Sequence, residues 1–201
     1  MLSSIIEFLV MLNPFALFLY LEPIRKDLSH KNFINVILKA TFISLVICLF
    51  FFFTGEHIFE TVFKIDFESF RIFGGIIIFS YAYLFIVKGQ KALIMIKEDL
   101  DDLASEIALP FMVGAGSISL SIIVSYRHTT LIGSIILVVV FFANFLTIFL
   151  LKILRDSLEG KRLKTAFDKN MEVLLRLNGF FIGAIGVSMI ITGIKNMFGI
   201  M

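Results

Sequence analysis

"SLVICLFFFF" runs from Ser44 to Phe53 without a charge and without any alternation of apolar and polar side chains. A half-buried strand, or a strand of a membrane barrel, alternates with a period of two. An amphipathic surface helix carries polar residues on one face, and this run has none to spare. It is therefore the centre of a longer apolar window, roughly Phe33 to Phe53, and five further windows resemble it: Leu2 to Leu21, Phe70 to Val87, Ile107 to Tyr126, Thr130 to Leu151 and Val173 to Ile194. Each is close to the ~20 residues a helix needs to cross a ~30 Å hydrocarbon layer. The whole chain agrees: 59% of its 201 residues are hydrophobic, 25 are phenylalanine, 17% are charged and the mean hydropathy is +0.99. Soluble domains sit near about 45–50% apolar. The expected fold is all-α, a polytopic membrane protein of six transmembrane helices in one transmembrane domain, 1–201.

The first window has no Lys or Arg before Arg25, is long for a signal core and is followed by no small-x-small cleavage site, so it is read as a span. Cys48 is the only cysteine, lies inside the second window, and reads as packing. Loop charges set an orientation. Of 18 basic residues, Lys64, Arg71, Arg127 and Lys195 fall on one side and the remaining 14 on the other. The positive-inside rule makes the richer side cytoplasmic, with the 1–2, 3–4 and 5–6 loops there and both termini extracytoplasmic in the cell membrane. "KRLK" (Lys161 to Lys164) then reads as a topology signal beside lipid headgroups, and nucleic acid is not an expected partner.

The windows also repeat. "LNPFALF" (Leu12 to Phe18) and "ALPFMVGAG" (Ala108 to Gly116) each set a Pro-Phe pair inside an apolar run, and "FRIFGGIII" (Phe70 to Ile78) and "LRLNGFFIG" (Leu175 to Gly183) each set an arginine three residues before a glycine. The prolines are 96 residues apart and the arginines 105. Three spans per copy is an odd number, so the second copy enters the membrane from the opposite side. That reading gives two inverted-topology repeats, 1–97 and 98–201, with broken first and fourth helices. Backbone freed by a break must face protein or a water-filled cavity. Asn13 before Pro14 reads as an N-cap followed by proline at the first helical position, and Gly114 to Ser117 allow a similar turn. Half-helix ends offer bare N–H groups and bare carbonyls, which suit the two ends of a zwitterion.

In order along nearly the whole chain, "NPFA" (Asn13 to Ala16), "FRIFGGIIIF" (Phe70 to Phe79), "ALPFMVGAGSIS" (Ala108 to Ser119) and "LLRLNGFFIGAIGVSMIITGI" (Leu174 to Ile194) resemble the MarC/SnatA family of prokaryotic membrane proteins. Ala115 stands where that family usually has a proline. The resemblance implies a secondary transporter of small neutral amino acids, glycine and alanine among them, with export of another solute or drug as the alternative. Substrate-site candidates are Asn13, Pro14, Phe15, Ala16, Gly114, Ala115, Gly116, Ser117 and Ser119. Arg71, Gly74, Gly75, Arg176 and Gly179 read as helix-end and packing residues.

No carboxylate or histidine falls in the middle of a window, where proton carriers place one. Glu7 and Glu22 lie toward window ends, and His30, His57 and His128 read as solvated loop residues. If an ion, Na⁺ or H⁺, is coupled, Asn13, Asn144, Thr147 and Asn178 suit Na⁺ better than a proton relay. Asn144 and Asn178 also read as interhelical glue. No other cofactor and no metal cluster is expected, and no nucleophile-base pair marks an enzyme. "KEDLDD" (Lys97 to Asp102) reads as a solvated loop between repeats. A membrane scaffold packing through Gly179, Gly183 and Gly186 is the alternative of another class; the oligomeric state is open.

Overall fold

The computed structural model describes residues 1–21, 25, 28–88, 100–158 and 161–199. Glu22, Lys97 to Asp99 and the boundary expected between the repeats lie outside the described residues. So do the side chains of Pro110, Phe111, Lys161, Lys164, Leu174 and Leu175. Eight α-helices carry the described chain: α1 Leu2–Leu12, α2 Pro14–Tyr20, α3 His30–Thr54, α4 Phe67–Lys88, α5 Leu100–Glu106, α6 Ala115–Arg127, α7 Thr130–Ser157 and α8 Lys161–Phe198. Wide π-helical turns occupy Phe59–Phe63 and Ile107–Met112. There is no strand among the described residues.

Among the described residues five stretches are long and apolar enough to cross a membrane: Leu2–Leu19, His30–Thr54, Phe67–Val87, Thr130–Ser157 and Arg176–Phe198. The expected fourth window does not form one such helix. Leu109 is extended (φ −118°, ψ 122°), the conformation favoured by a residue that precedes proline in the sequence. A second departure follows at Gly114 (φ −136°, ψ −179°), and only then does the 13-residue α6 begin. The last helix departs in the other direction. It is 38 residues long and starts at Lys161, so the basic "KRLK" run is its first turn and not a loop.

Three pairs of helices pack antiparallel. In α1 and α6, Ser4 meets His128, Glu7 meets Arg127, and Met11 meets Gly116. In α3 and α7, His30 and Phe33 meet Lys152 at one end, and Phe52 fills the notch at Gly133 at the other. In α4 and α8, Asn196 donates to Glu68, Gly186 lies against Gly75, and Arg176 donates to the carbonyl of Ile86. The α3–α7 pair carries a further regularity: buried, half-buried and exposed positions recur in the same order over 28–53 and 128–153, a constant shift of 100 residues. Both helices start after a hydroxyl residue with nearly the same backbone, Ser29 (φ −59°, ψ 155°) and Thr129 (φ −63°, ψ 155°).

His30 and His128 are tied across helix pairs, whereas His57 lies exposed in the connection between α3 and α4. His30 opens α3 with its Nδ1 2.8 Å from the Lys152 ammonium, His128 bonds Ser4 across 2.9 Å, and His57 pairs with Thr61. Lys152 is itself buried and donates to Asp156 as well. A lone buried ammonium is expensive, and these acceptors are what hold it there.

Candidate functional site

The chain between α1 and α2 turns on one residue. Asn13 adopts the left-handed conformation (φ 44°, ψ 71°), which asparagine tolerates better than most side chains. Its N–H closes α1 onto the Leu9 carbonyl at 2.9 Å, and its Oδ1 accepts from the Ala16 N–H at 3.1 Å to cap α2. Pro14, the first residue of α2, needs no N–H partner there. The carbonyl of Val10, four residues back, accordingly has no helical donor. Across the bundle, the Gly114 N–H donates to Ser117 Oγ at 3.0 Å and that hydroxyl donates back to the Gly114 carbonyl at 3.1 Å. The first N–H groups of α6, at Ala115 to Ser117, precede any intrahelical acceptor.

Between these two breaks lies a cavity of about 90 Å³. Leu12, Ala16 and Leu17 line it from one break, and Met112, Gly114, Gly116 and Ser117 from the other. Met11, Tyr81, Phe85, Ile182 and Ile185 are among the residues that complete the wall. About 10–15 Å³ suffices for one water, so the space fits a solute of a few heavy atoms. Among the described residues no charged side chain lines it. A net-charged guest would lose hydration without a counter-ion. A net-neutral guest with one anionic and one cationic end meets the positive end of α6 and the carbonyl end of α1.

The remaining candidates are distributed elsewhere. Asn13, Pro14 and Phe15 line a second, open groove of about 730 Å³ with Thr147, Asn178 and Ser188, and Ile185 is the wall shared with the cavity. Asn13 is thus a capping residue at the break and not part of the cavity wall. Thr147 Oγ1 donates to the Ala143 carbonyl. Ala115 is buried against Gly74, where any Cβ would collide with its own. Ser119 is buried with no partner for its hydroxyl, and Asn144 is fully buried with neither amide atom partnered. Arg71 sits over the Phe67 ring and bonds both oxygens of Glu68. A Cβ on Gly75 would lie 2.6 Å from the Gly186 carbonyl oxygen, and one on Gly179 3.3 Å from that of Ala82. Cys48 is buried beside Ser117 and Ser121. Among the described residues no group of three or more His, Cys, Asp or Glu is placed to hold a metal ion. Met11, one residue outside the quoted motif, was not singled out from sequence, nor were Tyr81 and Ile182, which owe their positions to helices remote in the chain, for which no local pattern exists.

The family model described as MarC family integral membrane protein matches residues 1–198. The chain is similar to a UPF0056 membrane protein of Pyrococcus horikoshii, 27% identical over 96% of this chain and 92% of that one. A UPF0056 membrane protein of Buchnera aphidicola is 26% identical over 98% of this chain and 97% of its own. YhcE of Escherichia coli, another UPF0056 membrane protein, is 28% identical over 73% of this chain and 69% of its own. No solved structure matches. With helices of this length, this composition and a match along nearly its full length, the chain is a multi-pass integral membrane protein and belongs to the MarC family.

Proposed function

We propose that this protein is a secondary carrier of small neutral amino acids, of the glycine and alanine class, working by alternating access. The observation that carries the reading is the small uncharged cavity walled from both helix breaks, by Leu12, Ala16 and Leu17 on one side and Met112, Gly114, Gly116 and Ser117 on the other. Its size admits few side-chain atoms beyond a backbone, and its polar elements are helix ends of opposite sign.

The inverted-repeat arrangement has support of its own. Helices α4 and α8 run antiparallel, so an even number of crossings separates them. α7 is one, and the broken segment from Ile107 to Arg127 as a second keeps that parity, which supports six in all. The shift of 100 residues that superimposes the burial order of α3 on α7 also exchanges their ends: the Phe33–Lys152 contact becomes the Gly133–Phe52 contact. That exchange is what a two-fold axis in the membrane plane produces. The charge asymmetry of the loops supports an orientation with both termini outside.

Uptake of labelled glycine and alanine into proteoliposomes tests the reading. Saturable uptake by the wild type, abolished by Gly116→Leu in folded protein, is the expected result. Absence of uptake under every ion gradient, with the wild type folded and inserted in both orientations, would overturn it in favour of a scaffold or a different solute.

A further inference from the structure

The centre of the α3–α7 pair holds polar groups that the fold leaves unmatched. Register along the pair is fixed at both ends. Phe33 meets Lys152, and 19 residues further along α3 Phe52 meets Gly133, which is 19 residues back along α7. Thr41, eight residues on from Phe33, therefore stands at the level of Asn144, eight back from Lys152. At about 100° per residue, Thr41 points into the arc between Phe33 and Phe52, and Asn144 into the arc between Gly133 and Lys152. Those are the faces the two helices turn to each other. Ser44, one turn beyond Thr41, shares that face and uses its proton on the Ala40 carbonyl at 2.7 Å, which leaves its lone pairs outward.

Thr41 is 8% exposed and Asn144 0% exposed, and Thr41 Oγ1, Asn144 Oδ1 and Asn144 Nδ2 all lack a partner. All three lie near the middle of spanning helices, where no bulk water compensates them. Unmatched buried groups of this kind mark an ion or water. The donors facing inward are neutral oxygens, and no carboxylate stands among them. Divalent cations of the Mg²⁺ and Ca²⁺ type are held through carboxylates, so a dehydrated monovalent cation is the charge that neutral oxygens can satisfy.

We propose that Thr41 Oγ1, Ser44 Oγ and Asn144 Oδ1 form a Na⁺ site at the crossing of α3 and α7, with the Asn144 amide nitrogen donating to a water on the ion. Its role as the coupling-ion site of a carrier rests on the function proposed above, whereas its occupancy by Na⁺ is tested without any substrate.

The experiment is thermal unfolding of the full-length protein in lipid nanodiscs in NaCl, KCl or choline chloride at constant ionic strength. NaCl alone is expected to raise Tm saturably, by about 5–10 °C at a hundred times Kd. Thr41→Val and Asn144→Leu are expected to abolish that rise, and Thr147→Val, which lies on the open groove beside Asn13 and Asn178, to keep it. Thr41→Val conserves volume and decides the matter should Asn144→Leu fail to fold. No Na⁺-specific rise in the wild type, or a rise that survives Thr41→Val, would overturn the site. Na⁺-specific binding without amino-acid uptake would keep the site and remove the carrier.

Discussion

Gly75 and Gly186 touch backbone to backbone across α4 and α8: a Cβ on Gly75 would lie 2.6 Å from the Gly186 carbonyl oxygen, and one on Gly186 2.8 Å from that of Gly75. The obstacle in both directions is a carbonyl, which cannot swing aside as a side chain can. Gly75→Ala and Gly186→Ala are each expected to destabilise by about 1–3 kcal/mol. Gly183→Ala is the control, because its Cβ would sit at an ordinary 3.4 Å from Ala82, and it is expected to change stability by less than about 0.5 kcal/mol. Denaturant unfolding in detergent compares the three, and equal losses at all three positions would contradict the close approach.

Asn13 performs two tasks, a left-handed turn and a cap for α2. Asn13→Asp keeps the capping oxygen and Asn13→Gly keeps the backbone freedom; each is expected to cost less than Asn13→Ala, which loses both and is expected to cost about 2 kcal/mol. The ranking, read from thermal unfolding, is the test: alanine equal to glycine would mean that the turn imposes no strain.

At Gly116 an added Cβ would fall 2.6 Å from both Sδ and Cε of Met11. That is the free end of a flexible side chain, so Gly116→Ala is expected to fold and to shrink the cavity by about a methyl group. Uptake of alanine should fall at least ~10-fold relative to glycine. Met11→Ala opens the same wall, and competition by serine or valine should then appear. Unchanged selectivity in both variants would place the substrate elsewhere.

Glu56, just beyond the end of α3, has its carboxyl pushed above the ordinary 4.5, first by burial and then by Glu68, Glu60 and Asp66, against the pull of Arg71. The folded state therefore takes up this proton more readily than the unfolded chain. The stabilisation from this group is complete below the ordinary carboxylate range and is lost as pH rises through the raised value. Glu56→Gln is expected to flatten the dependence of Tm on pH just above 4.5. An unaltered slope would show that other groups set it.

The spans were legible because a bilayer demands length and apolarity, which "SLVICLFFFF" displays residue by residue. The cap at Asn13 was legible for a similar reason, since asparagine and proline carry their backbone preferences with them. The length of α8 was not, because the charges of Lys161 to Lys164 mark an aqueous position whether or not the backbone there is helical. Nor was the likeness of α3 to α7. Phe33 corresponds to Gly133 and Phe52 to Lys152, so the same packing is reached through side chains of opposite size and polarity. The cavity was half legible. Its small residues announce a close approach, but Met11, Tyr81 and Ile182 reach it only through contacts between distant helices.

Those unlike ends have a consequence for timing. Where Phe52 plugs Gly133, separation of the helices exposes only hydrocarbon, a process indifferent to salt and acidity. At the far end, separation strips the Lys152 ammonium of His30 and leaves it Asp156, four residues on in the same helix, a charged rupture that water and ions assist. The two ends of the pair, alike in outline, therefore separate at different rates as salt and acidity change.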